Sequence, residues 1–292
     1  MNISCINDQI NQDVHVSFKM LHQLGYKHVE IHAINHKPIE NITDDEINTL
    51  IKEKEKFNLH ISALASTVFM MTSLNKQDDI SDFNPAFYKI EGSIETHLKA
   101  LKKVCALANR LNCNVVRIFP FRASNNQVIL GTDSDIEKMI DPIKEAVTIA
   151  KNYDVILAVE NCPYSYLPKG LMTLELVKRI DSPHLKLLYD PGNSYRANKD
   201  RIPTHFLSKS IMEELELIFP YIIHVHLKDY KYDLSNPAKP FQHVAFLKGD
   251  VPIQEIIEFL KVHNYNHALS CEPEVSFHET IESLKTLQLI QG

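Results

Sequence analysis

Ile222-Ile223-His224-Val225-His226-Leu227-Lys228-Asp229 is a β-branched, apolar run that turns into alternating His, His and Lys and closes on a carboxylate. Side chains of a strand alternate between faces, so His224, His226 and Lys228 share one face and Val225, Leu227 and Asp229 the other. Polar groups gathering on one face of an otherwise buried strand, toward its C-terminal end, mark the point where a parallel strand opens into a site. Three more runs end in the same way, at Glu160, Asp190 and Glu272.

Outward from these runs the chain repeats one unit. Strands are expected over residues 2–6, 28–32, 59–64, 114–119, 155–160, 185–190, 222–229 and 267–272. Helical patterns follow each of them. One runs through Phe18, Leu21 and Leu24 and stops at Gly25, and one opens on the capping box Thr43-Asp44-Asp45-Glu46. Others are expected over 88–111, 135–153, 171–180, 204–219, 253–263 and 277–289, and a long polar loop over 66–85. Eight strand-then-helix units without a linker or a break in composition predict a (β/α)8 TIM barrel in the α/β class, one domain over 1–292. A doubly wound sheet is the competing fold. It favours a Gly-rich first turn, and this chain of 7 glycines has no G-x-G-x-x-G.

At 292 residues, with 44% hydrophobic and 23% charged residues, the composition is that of an ordinary globular protein. A net charge of -6 gives no basic surface for nucleic acid. No apolar run reaches the roughly 18–20 residues of a membrane span, so neither nucleic acid nor membrane is an expected partner. Asn2, Asn7, Asp8 and Gln9 interrupt any signal-like stretch, and the five cysteines form no C-x-x-C pair. Reduced thiols and a cytoplasmic location are therefore expected.

Glu160, Asp190, His226 and Glu272 end four successive strands, separated by 30, 36 and 46 residues, each compatible with one βα unit. A barrel sets all four on its C-terminal rim, where barrel enzymes carry their chemistry. Three carboxylates and an imidazole converging there repel one another and are costly to desolvate, and one divalent metal ion resolves the conflict. Oxygen-rich ligation with one nitrogen suits Mn²⁺ first, with Mg²⁺ or Co²⁺ next and Zn²⁺ still open.

These strand ends carry a family resemblance. Ala158-Val159-Glu160-Asn161, Tyr189-Asp190-Pro191-Gly192-Asn193, His224-Val225-His226-Leu227-Lys228-Asp229 and Glu272-Pro273-Glu274 resemble the metal-binding strand ends of the xylose isomerase-like sugar isomerase/epimerase superfamily. Gly25-Tyr26-Lys27-His28-Val29-Glu30-Ile31 and Leu247-Lys248-Gly249-Asp250-Val251 resemble two further signatures of it, the second with Leu247 where glycine is usual. Its members include ketose 3-epimerases, inosose dehydratases and endonuclease IV. The resemblance implies that Glu160, Asp190, His226 and Glu272 are the metal ligands. It also implies that Glu160 and Glu272 are catalytic, moving a proton beside a carbonyl through a metal-stabilised enediolate. The substrate implied is a small sugar, polyol or sugar phosphate. A dehydratase would use the same residues and differ only in losing a β-hydroxyl. Three departures bear on substrate: Tyr166, Asn193 and Tyr232 stand where ketose 3-epimerases carry Glu, His and Arg. The nuclease branch needs further histidines, yet the third and fourth strands end Ala63-Leu64 and Phe119-Pro120, and Phe241 stands where an Asp is required.

Five other residues are candidate substrate contacts, each with a plainer alternative. Lys228 neutralises an oxyanion or faces solvent at the rim. Asn193 meets a hydroxyl or caps the turn after Pro191-Gly192. Glu30 contacts substrate or pairs with Arg117, itself a candidate, and His243 approaches the site or is simply exposed. His224 is expected as a core histidine and Asp229 as a brace to a neighbouring strand. Phe69-Met70-Met71 is open among lid, substrate wall and packing. A non-catalytic barrel is the remaining class, and self-association into a homo-oligomer is left open.

Overall fold

A computed structural model describes residues 1–75, 77–80, 87–233, 235–236 and 240–291, so part of the expected 66–85 loop lies outside the described residues. Eight parallel strands carry the fold: β1 (Asn2–Cys5), β2 (His28–Ile31), β3 (His60–Leu64), β4 (Val115–Ile118), β5 (Ile156–Glu160), β6 (Leu185–Tyr189), β7 (Ile222–Leu227) and β8 (Ala268–Cys271). They pair in the order β1-β8-β7-β6-β5-β4-β3-β2. The ring is completed by a parallel bridge between Ile6 and Glu30, which brings β1 against β2. This is the (β/α)8 barrel expected from the repeats, and the eight-strand closure leaves no flat doubly wound sheet.

The helices on the outside are α1 (Val14–Gln23), α2 (Asp44–Lys56), α3 (Ile94–Arg110), α4 (Asp133–Asn152), α5 (Gly170–Ile180), α6 (Ile211–Ile218), α7 (Ile253–Val262) and α8 (Phe277–Gln291). Helix α2 begins as the sequence dictates, with Thr43 accepting the Glu46 N–H and the Glu46 carboxylate accepting the Thr43 N–H. Most boundaries fall within two residues of expectation, and two differ by more. Helix α3 starts at Ile94 rather than near residue 88, because Gly92 sits at φ 135° and Ser93 caps the new first turn. The helix expected over 204–219 is two pieces, Thr204–Leu207 and α6, because the capping box of Ser210 and Glu213 starts a fresh helix. A short helix, Pro191–Arg196, and a ribbon pairing Tyr230–Tyr232 with Phe241–His243 add to the rim.

Inside the barrel the floor has two characters. Val115, Ala158 and Leu188 stand two residues before Arg117, Glu160 and Asp190, share their strand faces, and cluster as an apolar layer. On the other side His224, Ser270, Ser4, Ser62 and Glu30 form a polar layer. The His224 Nε2 lies 2.8 Å from Glu30 and 3.1 Å from Ser270 Oγ, and the Ser4 and Ser62 hydroxyls meet at 2.7 Å. All five cysteines are free and buried, and among the described residues no helix is long and apolar enough to cross a membrane.

Candidate metal and active site

Strand register delivers four side chains to one point above this floor. Glu160, Asp190, His226 and Glu272 each offer a ligand atom, all four atoms lie within 4.8 Å of one another, and all four residues are buried. His226 Nδ1 is 2.9 Å from Glu272 Oε2 and 3.9 Å from Glu160 Oε2. Its other nitrogen, Nε2, is 3.0 Å from both oxygens of Glu30, which therefore accept its proton and turn the Nδ1 lone pair toward the quartet.

Two cations share the site. Arg117 on β4 donates from Nη1 to Glu160 Oε2 at 3.0 Å and lies 3.7 Å from Glu272, while Nε and Nη2 donate to the carbonyls of Ser66 and Ala65. Lys228 Nζ lies 2.7 Å from Glu272, 2.9 Å from Asp190 and 3.4 Å from Glu274. Glu30 takes both histidines of β7 and makes no ion pair with Arg117, so the pairing weighed from sequence is replaced by Arg117–Glu160. The reason is placement: β2 faces β7 across the barrel floor, whereas Arg117 stands beside β5 and reaches Glu160 directly.

The charges do not balance. Glu30, Glu160, Asp190 and Glu272 are four buried carboxylates, and Arg117 and Lys228 supply only two buried cations. Two negative charges are left over, which burial makes costly. The same crowding shifts the proton affinities of these groups. Burial alone would lower the His226 pKa, yet the carboxylates of Glu30 and Glu272 push it up to about 10. Burial raises Glu160 and Asp190, with Arg117 and Lys228 opposing it at Glu160 and Lys228 at Asp190. Glu272 goes the other way: burial is overcome by Lys228, His226 and Arg117, which hold its carboxyl well below the usual range.

Neighbouring residues fix this geometry. The cap of the turn is Asp190, whose Oδ1 accepts the Asn193 N–H at 2.9 Å, and the Asn193 side-chain amide donates to Glu160 Oε1 at 3.0 Å. Asn161 brackets Asp190, accepting its N–H at 2.9 Å and donating to its carbonyl at 2.8 Å. Asn161 also donates to Ser194 Oγ, which donates to Glu214, a buried carboxylate paired with Lys169 at 2.6 Å. The Asn161–Ser194–Glu214–Lys169 chain was not anticipated, and the one signal for it is an Asn directly after Glu160. Tyr166 is buried, and its hydroxyl donates to Asp78 rather than entering the site.

His243 lies at the end of the rim ribbon, 3.5 Å from Glu274, with its ring 4.5 Å from that of Tyr230. Asp229 turns away and accepts the N–H groups of Gly249 and Val251 at 3.0 and 3.3 Å. A Cβ on Gly249 would come within 2.1 Å of the Asp229 Oδ1, so this turn requires glycine. Met70 and Met71 pack with Phe119 and Cys162, and Phe119 carries the Arg117 guanidinium over its ring at 4.8 Å.

A (β/α)8 barrel with a buried cluster of carboxylates and a histidine at its rim is the class of protein this fold and site define. Residues 18–288 match the family model described as the xylose isomerase-like TIM barrel, and the chain belongs to that family. Among curated proteins none matches the chain in sequence. Solved structures share the fold at low identity. The probable 3-DHS dehydratase AsbF of Bacillus anthracis, involved in petrobactin synthesis, is 16% identical, with TM-score 0.70 over 99% of both chains. The D-allulose 3-epimerase of a Methylomonas species in complex with D-allulose is 11% identical, with TM-score 0.71 over 100% of this chain and 96% of that one. A xylose isomerase-like TIM barrel protein of Mycobacterium smegmatis in complex with magnesium is 18% identical, with TM-score 0.67 over 99% and 95%.

Proposed function

We propose that the chain is a divalent-metal-dependent isomerase or epimerase of a small keto-sugar, polyol or sugar phosphate. The observation that carries this reading is the buried quartet of Glu160, Asp190, His226 and Glu272, whose three carboxylates, with that of Glu30, outnumber the buried cations Arg117 and Lys228. The residues fit an ion: His226 Nδ1 and Glu272 Oε2 are buried and 2.9 Å apart, and each of the four residues offers a ligand atom at the common point. The donor set, three carboxylates and one imidazole, suits Mn²⁺ best, with Mg²⁺, Co²⁺ or Zn²⁺ as alternatives. Such an ion supplies Lewis-acid stabilisation of charge on a substrate carbonyl oxygen.

The chain's own groups do the rest. Glu160 on β5 and Glu272 after β8 approach the centre from strands separated by β6 and β7, so they flank a substrate between them. One carboxylate takes the proton from the carbon beside the carbonyl: the C–H bond breaks, its electron pair forms the C=C bond of an enediolate, and the former carbonyl oxygen gains negative charge. The other carboxyl group, protonated, returns a proton to the opposite face of the same carbon and gives the epimer; return to the former carbonyl carbon, with the hydroxyl proton passing to the former carbonyl oxygen, gives the isomer. Lys228 donates a hydrogen bond to the developing oxyanion, and Asn193 holds Glu160 in place. Glu30 acts through His226, and His243 borders the substrate end of the site. A lyase reading uses the same enolisation, followed by departure of a β-hydroxyl as water. It is favoured by the absence of the ketohexose contacts, since Tyr166 points to Asp78 and Asn193 is committed to Glu160.

Solvent-deuterium incorporation into a panel of keto-sugars and inososes with added Mn²⁺ tests the reading. Glu160→Gln and Glu272→Gln are each expected to lower exchange by about 10²-fold or more. Exchange that persists in both variants would remove the two-carboxylate mechanism.

A further inference from the structure

Above the quartet lies a cation that this mechanism does not use. Arg196 ends the short helix Pro191–Arg196 that follows Asp190. Its guanidinium lies over three rings, Tyr164 at 4.9 Å, Phe241 at 5.1 Å and Tyr230 at 5.2 Å. These rings belong to the loops after β5 and β7, and Arg196 to the loop after β6, the three strands that carry Glu160, His226 and Asp190. A line of contacts then leads down to the quartet. The Tyr230 ring touches His243, His243 faces Glu274 at 3.5 Å, and Glu274 faces Lys228 at 3.4 Å.

Aromatic faces attract a guanidinium, but they do not satisfy its five N–H donors. Among the described residues no carboxylate or carbonyl accepts from Arg196, and its Nε is buried without an acceptor. Buried donors left unpaired are uncommon, and each calls for a physical reason. Three buried cations near the quartet each have carboxylate partners: Arg117 with Glu160, Lys228 with Asp190 and Glu272, Lys169 with Glu214. Glu274 is engaged with Lys228 and His243 and forms no ion pair with Arg196. A guanidinium held between three aromatic walls, without a counter-ion of its own, is preorganised for an anion that arrives with the ligand.

We propose that Arg196 binds an oxyanion, a carboxylate or a phosphate, at the end of the substrate far from the reacting carbons. The substrate is then an acidic sugar or a sugar phosphate instead of a neutral keto-sugar. This rests on the reading of the quartet as an enolising centre, and it names the substrate class for that centre.

Calorimetric titration of the Mn²⁺-loaded protein with D-fructose, D-fructose 6-phosphate and 5-keto-D-gluconate provides the test. One anionic probe is expected to bind at least about tenfold more tightly than D-fructose, and which one does so separates phosphate from carboxylate. Arg196→Gln should abolish that preference while leaving the affinity for D-fructose alone, and Arg196→Lys should restore part of it. Equal affinity for the three probes in the wild-type protein, no measurable binding of either anion, or a preference that survives Arg196→Gln would each overturn the proposal. The wild-type ranking stands as a test even if a variant fails to fold. Because the readout is binding, failure of the enolisation reading shows separately, as deuterium exchange that ignores Glu160 and Glu272.

Discussion

Charge decides the behaviour of individual residues here. Glu160, Asp190, His226 and Glu272 were legible in the sequence because strand alternation and a shared C-terminal end are local properties, visible in each run by itself. The partnership of Glu30 with His224 and His226 was not legible. It links residues 194 and 196 positions apart and depends on which strands face each other across the floor. Its consequence can be measured. Glu30 holds the proton on His226 Nε2 and so presents Nδ1 as a ligand; Glu30→Gln should weaken Mn²⁺ binding by about 10- to 100-fold while leaving the fold intact. Unchanged affinity in that variant would show that Glu30 does not orient His226.

Among the elements, helix α3 and the loop before it show where local signals fail. The apolar pattern begins well before residue 94, but Gly92 and Ser93 move the helix start, and only backbone geometry reveals this. The break before α6 is hard to read because apolar residues flank the short polar stretch Ser208-Lys209-Ser210 on both sides, while the capping box decides the boundary. Helix α3 also anchors the loop that precedes it. Its buried His97 accepts the Phe69 N–H on Nδ1 at 2.8 Å, and Phe69 stacks on Phe121 with centroids 4.6 Å apart. Burial lowers the His97 pKa from 6.5 to about 4, so the ring is neutral in the fold. An unfolded chain therefore takes up the proton first as pH falls. The stabilisation is complete above about pH 6.5 and declines toward pH 4. Urea midpoints at pH 7 and pH 5 should differ less in His97→Gln than in the wild type, and the variant should lose about 1–3 kcal/mol at pH 7 through the unpaired Phe69 N–H. An equal pH dependence in both proteins would exclude His97 as its source.

At the scale of the molecule, the barrel was readable because a repeat of eight units is a global pattern that errors at single boundaries cannot hide. What no repeat reveals is how the ring closes, here where Ile6 meets Glu30, the carboxylate that bonds both His224 and His226. Barrel closure and the candidate metal site thus meet at one side chain. An ion that neutralises the buried excess of carboxylates should stabilise the whole fold, by about 2.7 kcal/mol at a hundredfold excess over its dissociation constant. A chelator should lower the melting temperature of the loaded protein accordingly, and a melting temperature indifferent to Mn²⁺ and chelator alike would contradict a folded-state ion.

The most direct measurement is a calorimetric titration of metal-free protein with Mn²⁺ near pH 7.5, repeated in two buffers of different ionisation enthalpy. With His226 raised to about 10 in the empty site, binding is expected to saturate at one ion per chain and to release protons, with both features weakened in Asp190→Asn. Heats that never saturate, or saturable binding that is the same in Asp190→Asn, would contradict the quartet as a metal centre.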